Sequence, residues 1–79
     1  MPRSYGTHDH RALCTLLRET RTRKHLTQAE LAQRLDRPQS YVSKYETGER
    51  RLDLVELGEV LAAMEVALVD FIRAYESRR

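Results

Sequence analysis

The chain has 79 residues, 14 Lys+Arg against 12 Asp+Glu, a net charge of +2 and an apolar fraction of 41%. That leaves room for one small domain with a core, and it excludes wholesale disorder and a deep cleft between domains. The longest apolar run, Val60 to Met64, is far short of the roughly 20 residues of a membrane span. The first ten residues hold no apolar signal-peptide core, and one cysteine makes no internal disulfide, so a cytoplasmic location and no membrane contact are expected.

The small net charge hides an asymmetry. Residues 1–51 carry 11 basic and 6 acidic side chains, whereas residues 52–79 carry 3 basic and 6 acidic. A basic first two-thirds suits a polyanionic partner.

No segment alternates apolar and polar residues for long enough to make a strand, so the pattern predicts an all-α chain. Thr7 or Asp9 caps a first helix to about Lys24, with Leu13, Cys14, Leu16 and Leu17 on one stripe. Thr27 and Glu30 spell a capping box for a short second helix ending near Leu35. Arg37-Pro38 stops it and presets a third helix over about Gln39 to Glu46, closed by Gly48. Asp53 and Glu56 start a fourth, with Leu54, Leu57, Leu61 and Met64 on its inner stripe. A fifth, about Leu68 to Ser77, is expected to bury Phe71, Ile72 and Tyr75. Helices two and three are too short to stand alone, and their close linkage is what a helix-turn-helix requires. The domain is placed at residues 9–77, with an arm at 1–8, a tail at 78–79 and the motif at about 28–47.

Helical spacing divides the third helix. With Val42 and Tyr45 inward, Gln39, Ser40, Ser43 and Lys44 turn outward, a polar, small and basic face. Gln can pair with adenine and Lys can reach the acceptors of guanine.

The stretch LTQAELAQRLDRPQSYVSKYETGERRLDLVEL, Leu26 to Leu57, resembles the Cro and phage-repressor type of helix-turn-helix regulators, the XRE family. The likeness runs over about Leu13 to Ile72. It implies a five-helix lambda-repressor-like bundle and the following roles. Gln28 faces a DNA phosphate at a helix start. Ala32 keeps a helix crossing close. Arg21 pairs with Glu46 beneath the turn. Gln39, Ser40 and Lys44 occupy base-reading positions, and Tyr41 and Ser43 touch bases or backbone. Thr47, Gly48, Arg50 and Arg51 form a loop that grips phosphate, with Arg50 and Arg51 as the phosphate contacts. Arg3 and Arg11 belong to an arm or a first-helix contact. The chain departs from the pattern where glycine is usual, at Asp36 and Glu65, and Ala67 is a poor cap for the last helix.

No other chemistry competes. His8, His10 and Cys14 lack a second cluster to complete a metal site, His25 lies far along the chain, and no catalytic triad or glycine-rich phosphate loop is present. Asp70 and Glu76 read as the solvated side of the last helix. Neither enzyme activity, a metal nor a cofactor is expected. The resulting expectation is a sequence-specific double-stranded DNA-binding regulator of transcription, a repressor, acting as a homodimer on a near-palindromic operator. Its seam is expected on helices four and five, from Val69, Phe71, Ile72 and Tyr75. The alternative is an antitoxin or accessory module whose main partner is a protein, with DNA binding secondary.

Overall fold

The computed structural model describes residues 7–79, so Arg3 and most of the expected arm lie outside the described residues. Five α-helices and no strand occupy the described residues: α1 (His8–Arg23), α2 (Gln28–Leu35), α3 (Gln39–Thr47), α4 (Leu54–Ala63) and α5 (Leu68–Glu76). The Cα radius of gyration is 11.9 Å.

The helix starts follow the local chemistry read from the sequence. Thr7 caps α1, accepting from the His10 N–H. Thr27/Glu30 and Asp53/Glu56 form complete capping boxes at α2 and α4. In each, the side chain of the cap takes an orphan N–H and the glutamate returns to the cap's own N–H. Pro38 and Ala67 precede α3 and α5 without a side-chain cap.

The helix ends share one solution. At three joints a non-glycine residue takes the left-handed conformation: His25 (φ 60°), Asp36 (φ 57°) and Glu65 (φ 61°). At each, the next residue's N–H reaches five residues back: Leu26 to Arg21, Arg37 to Ala32 and Val66 to Leu61, at 2.9–3.2 Å. This pairing satisfies carbonyls that a helix end would otherwise orphan. The strain foreseen at Asp36 and Glu65 is there, each such residue costing roughly 1–2 kcal/mol. His25 adds a third joint that the sequence reading missed. Gly48, at φ 90°, ends α3 where glycine has no such penalty.

The core gathers one face of every helix. Leu16 and Leu17 of α1, Leu31 and Ala32 of α2, Val42 and Tyr45 of α3, Leu57, Val60 and Leu61 of α4, Met64 at the end of α4 and Phe71 of α5 are buried together. Ala32 is buried in the core, and α2 and α3 form the most extensive helix pairing among the described residues. Three core assignments need correction. Leu54 is 67% exposed, because the first residue of α4 projects ahead of the inner stripe. Ile72 is exposed, and Tyr75 is only half-buried, although it packs against the core. Phe71 belongs to the monomer interior, so it is unavailable to a seam between copies.

Candidate nucleic-acid interface

The site begins beneath the turn. Arg21 near the end of α1 and Glu46 near the end of α3 meet as a fork: Nε donates to Oε2 at 2.7 Å and Nη2 to Oε1 at 3.0 Å. Arg21 Nη1 also donates to the Leu26 carbonyl at 2.8 Å, tying in the joint before α2. The Glu46 hydrogen bonds hold Arg21 firmly protonated. Glu46 is almost fully enclosed, so the pair locks α3 against α1 from within.

From this pair the polar contacts lead outward. Gln28, the first residue of α2, donates from Nε2 to Glu46 Oε1 at 3.0 Å and accepts from Gln39 Nε2 at 3.4 Å. Its amide is thus tied to both Glu46 and Gln39 while the residue stays half-buried at the start of α2. The capping box occupies the N–H groups of Thr27 and Glu30. Those of Gln28 and Ala29 are left at the positive end of α2.

α3 divides cleanly by depth. Tyr41, Val42, Tyr45 and Glu46 are buried, while Gln39, Ser40, Lys44 and Thr47 are exposed and Ser43 is intermediate. Helical spacing gathers the second set into one stripe, which no other part of the described chain covers. The Thr47 hydroxyl donates to the Lys44 carbonyl at 3.2 Å, closing the helix end.

Tyr41 is turned inward, away from the outer stripe. Its ring meets Tyr45 edge-on at 5.7 Å between centroids, and guanidinium carbons of Arg37 and Arg50 stand 4.6 and 4.8 Å from its centroid. Burial raises the Tyr41 hydroxyl above its ordinary range. The Tyr45 hydroxyl is buried without a hydrogen-bond partner, and burial raises it strongly.

The loop after α3 separates its two arginines. Arg50 forks onto Glu56, Nη2 to Oε2 at 2.8 Å and Nη1 to Oε1 at 3.3 Å, and donates to the Arg51 carbonyl. That pairing and the Asp53 N–H bring the Glu56 carboxyl down to about 2. Arg51 is exposed. Sequence reasoning missed Arg37, an exposed cation between α2 and α3; its only signal was the Arg-Pro pair ahead of the outward helix.

His10 and Cys14 are buried side by side, Nε2 to Sγ 3.7 Å, while His8 is exposed. Burial lowers His10, helped by Arg51, and raises the Cys14 thiol. Among the described residues no group of three or more His, Cys, Asp or Glu is placed to hold a metal ion, and no helix is long and apolar enough to cross a membrane.

A helix-turn-helix family profile matches residues 17–71, which span the locked pair, the turn and the outer stripe. An XRE-family-like protein from Pseudomonas syringae pv. tomato is 40% identical, over 87% of this chain and 84% of its own, with a TM-score of 0.82. The chain belongs to the XRE-type helix-turn-helix family. This XRE-type protein is a DNA-binding protein of transcription regulation. It is also similar to the clp gene regulator ClgR from Corynebacterium glutamicum, 26% identical over 89% of this chain and 90% of that one, with a TM-score of 0.79. A variant of the restriction-modification controller protein C.Esp1396I shares its fold, with 21% identity, 91% and 96% coverage and a TM-score of 0.86. No curated protein matches the XRE-type chain.

Proposed function

We propose that this protein is a sequence-specific double-stranded DNA-binding repressor that acts in the cytoplasm as a homodimer on a near-palindromic operator. The observation that supports this most is the uncovered stripe Gln39–Ser40–Ser43–Lys44–Thr47, presented by a helix whose other side is locked into the core. A helix of this width fits the major groove, where each base pair shows a distinct set of donors and acceptors. Lys44 reaches the acceptors of guanine. Gln39, with one amide hydrogen bond directed to Gln28, presents the rest of its amide to an adenine edge. Ser40 and Ser43 are short and allow close approach.

Phosphate contacts would set the register. The open N–H groups of Gln28 and Ala29 at the start of α2 suit one phosphate. Arg51 suits another, with Thr47 and the Gly48 backbone beside it. Arg50 serves first to hold the loop through Glu56, and Arg11 lies on exposed α1 surface for a flanking contact.

One such unit covers half a site, and two would read half-sites roughly 34 Å apart. Among the described residues the large apolar side chains left exposed are Leu54, Val55, Leu68, Val69 and Ile72, all on α4 and α5. They support a seam on these helices that keeps Val69 and Ile72 from the expected set, adds Leu54, Val55 and Leu68, and leaves Phe71 to the interior. The same exposed patch favours the second reading, an antitoxin or accessory protein that seats a partner protein there.

Selection of bound sequences from a random duplex library with the pure protein tests the proposal. Enrichment of a near-palindrome is the expected result. Recovery of no preferred sequence, together with a tight copurifying protein, would establish the second reading instead.

A further inference from the structure

The two ends of α5 are seated differently. At the C-terminal end, the Tyr75 hydroxyl donates to the Asp9 carbonyl at 3.3 Å, Arg78 pairs with Glu19, and Arg79 bonds Glu76 and approaches Asp9. At the N-terminal end no such side-chain tie is made, and the helix is held by backbone bonds, the Phe71 N–H reaching the Ala67 carbonyl at 3.1 Å, and by the buried Phe71 ring. Ala67 offers no side-chain cap, Glu65 just before it holds a left-handed backbone, and the space beneath is unfilled. That space is a half-open groove of about 450 Å³ between α5 and the second half of α1. Small-molecule sites occupy roughly 300–1,000 Å³.

Its chemistry is amphipathic. Leu16, Val66, Phe71 and Ala74 give an apolar floor. The Thr20 hydroxyl already donates to the Leu16 carbonyl at 2.7 Å, so it has no proton to offer a carboxylate from the wall. Arg23 and Lys24 stand on the α1 edge and Asp70 on the α5 edge. The Arg23 side chain makes no hydrogen bond or ion pair among the described residues, and Lys24 Nζ reaches only the Glu65 carbonyl at 3.4 Å. Helical spacing puts the groove-facing residues of α5 opposite Leu68, Val69 and Ile72. A second copy covering those three therefore leaves the groove open for an occupant of its own.

We propose that this groove binds a small amphipathic carboxylate, with its apolar tail on the floor and its head between Arg23 and Lys24. Asp70 repels the head from the α5 edge and so sets its direction. By joining α1 to α5, the ligand braces the first turns of α5 and with them the position of Val69 and Ile72. This coupling to dimerisation rests on the function proposed above; the binding does not.

The test is a titration of the isotope-labelled full chain with decanoate, followed by backbone amide resonances in the absence of DNA. 1-Decanol and decylammonium serve as charge controls. Saturable shifts centred on Thr20, Val66, Phe71 and Ala74 are expected, with decylammonium clearly weaker. Arg23→Ala should weaken decanoate about fivefold, the scale of an exposed ion pair. Ala74→Phe, at an exposed position, should fill the groove and abolish binding while the fold is retained. Shifts that fail to saturate, equal binding of decylammonium, or unchanged binding to the Ala74→Phe variant would overturn the site. Saturable binding with no change in the light-scattering mass or in DNA affinity would overturn the coupling alone.

Discussion

Replacing Glu46 with alanine gives a direct measure of how α3 is held. Its carboxylate accepts three hydrogen bonds, two from Arg21 and one from Gln28, and its side chain is 2% exposed. In the variant, Arg21 keeps only its bond to the Leu26 carbonyl, and a buried cation is left uncompensated. Removing one side of such a pair costs about 3–5 kcal/mol. At about 0.05–0.15 kcal/mol per residue, a domain of this length holds roughly 4–12 kcal/mol in all. The loss is therefore a large part of its stability. At about 4–8 °C per kcal/mol, the melting temperature should fall by at least about 12 °C. Thermal and urea denaturation followed by circular dichroism would measure both. The combined Arg21→Met, Glu46→Leu variant should return to within about 1 kcal/mol of the parent, since apolar groups of similar shape leave no charge unpaired. A Glu46→Ala variant that melts with the parent, or a double variant no better than the single one, would refute the reasoning.

Four further outcomes follow from the geometry. Gln39→Ala and Lys44→Ala should each relax preference at one base pair by roughly 1–3 kcal/mol, read from binding to singly substituted duplexes; equal loss on every sequence would refute a base contact. Arg51→Ala should weaken all duplexes alike and reduce the salt slope by about 0.9, whereas Arg50→Ala should first lower stability, because Arg50 holds Glu56. Glu56 is depressed from 4.5 to about 2, so its contribution is present above pH 4.5 and is lost as pH falls towards 2. Acid titration of stability should show that loss in the parent and not in Glu56→Gln. Val69→Asp should leave a particle of 9.3 kDa by light scattering where the parent gives about twice that, and a parent that stays at 9.3 kDa removes the dimer.

The sequence was most legible where structure is set by neighbours along the chain. The two capping boxes, the stop at Arg37-Pro38 and the glycine at the end of α3 are each decided within about four residues, and helix limits followed from them. The inward and outward sides of α3 were legible because Val42 and Tyr45 fix the phase of a regular helix. What escaped depends on neighbours across the fold. Arg50 has a carboxylate partner in the first turn of the next helix, and Tyr41 flanks the inward pair under two arginines, contacts that their positions alone did not announce. Gln28 is drawn inward by Glu46, eighteen residues away. Leu54 and Ile72 are apolar at helical spacing yet exposed, since spacing marks a face without saying what lies against it. The strained joint at His25 had no local mark, because nothing in that residue type signals a left-handed backbone.

The partition of α3 has an evolutionary consequence. Exposed residues on its outer stripe bear little of the burden of folding, and the buried ones face the interior. Under the proposed function, new operators would be acquired through Ser40, Ser43 or Lys44 with little penalty to the scaffold. Gln39 is the exception, since it is coupled through Gln28 to the interior, and lineages that change it should compensate at position 28.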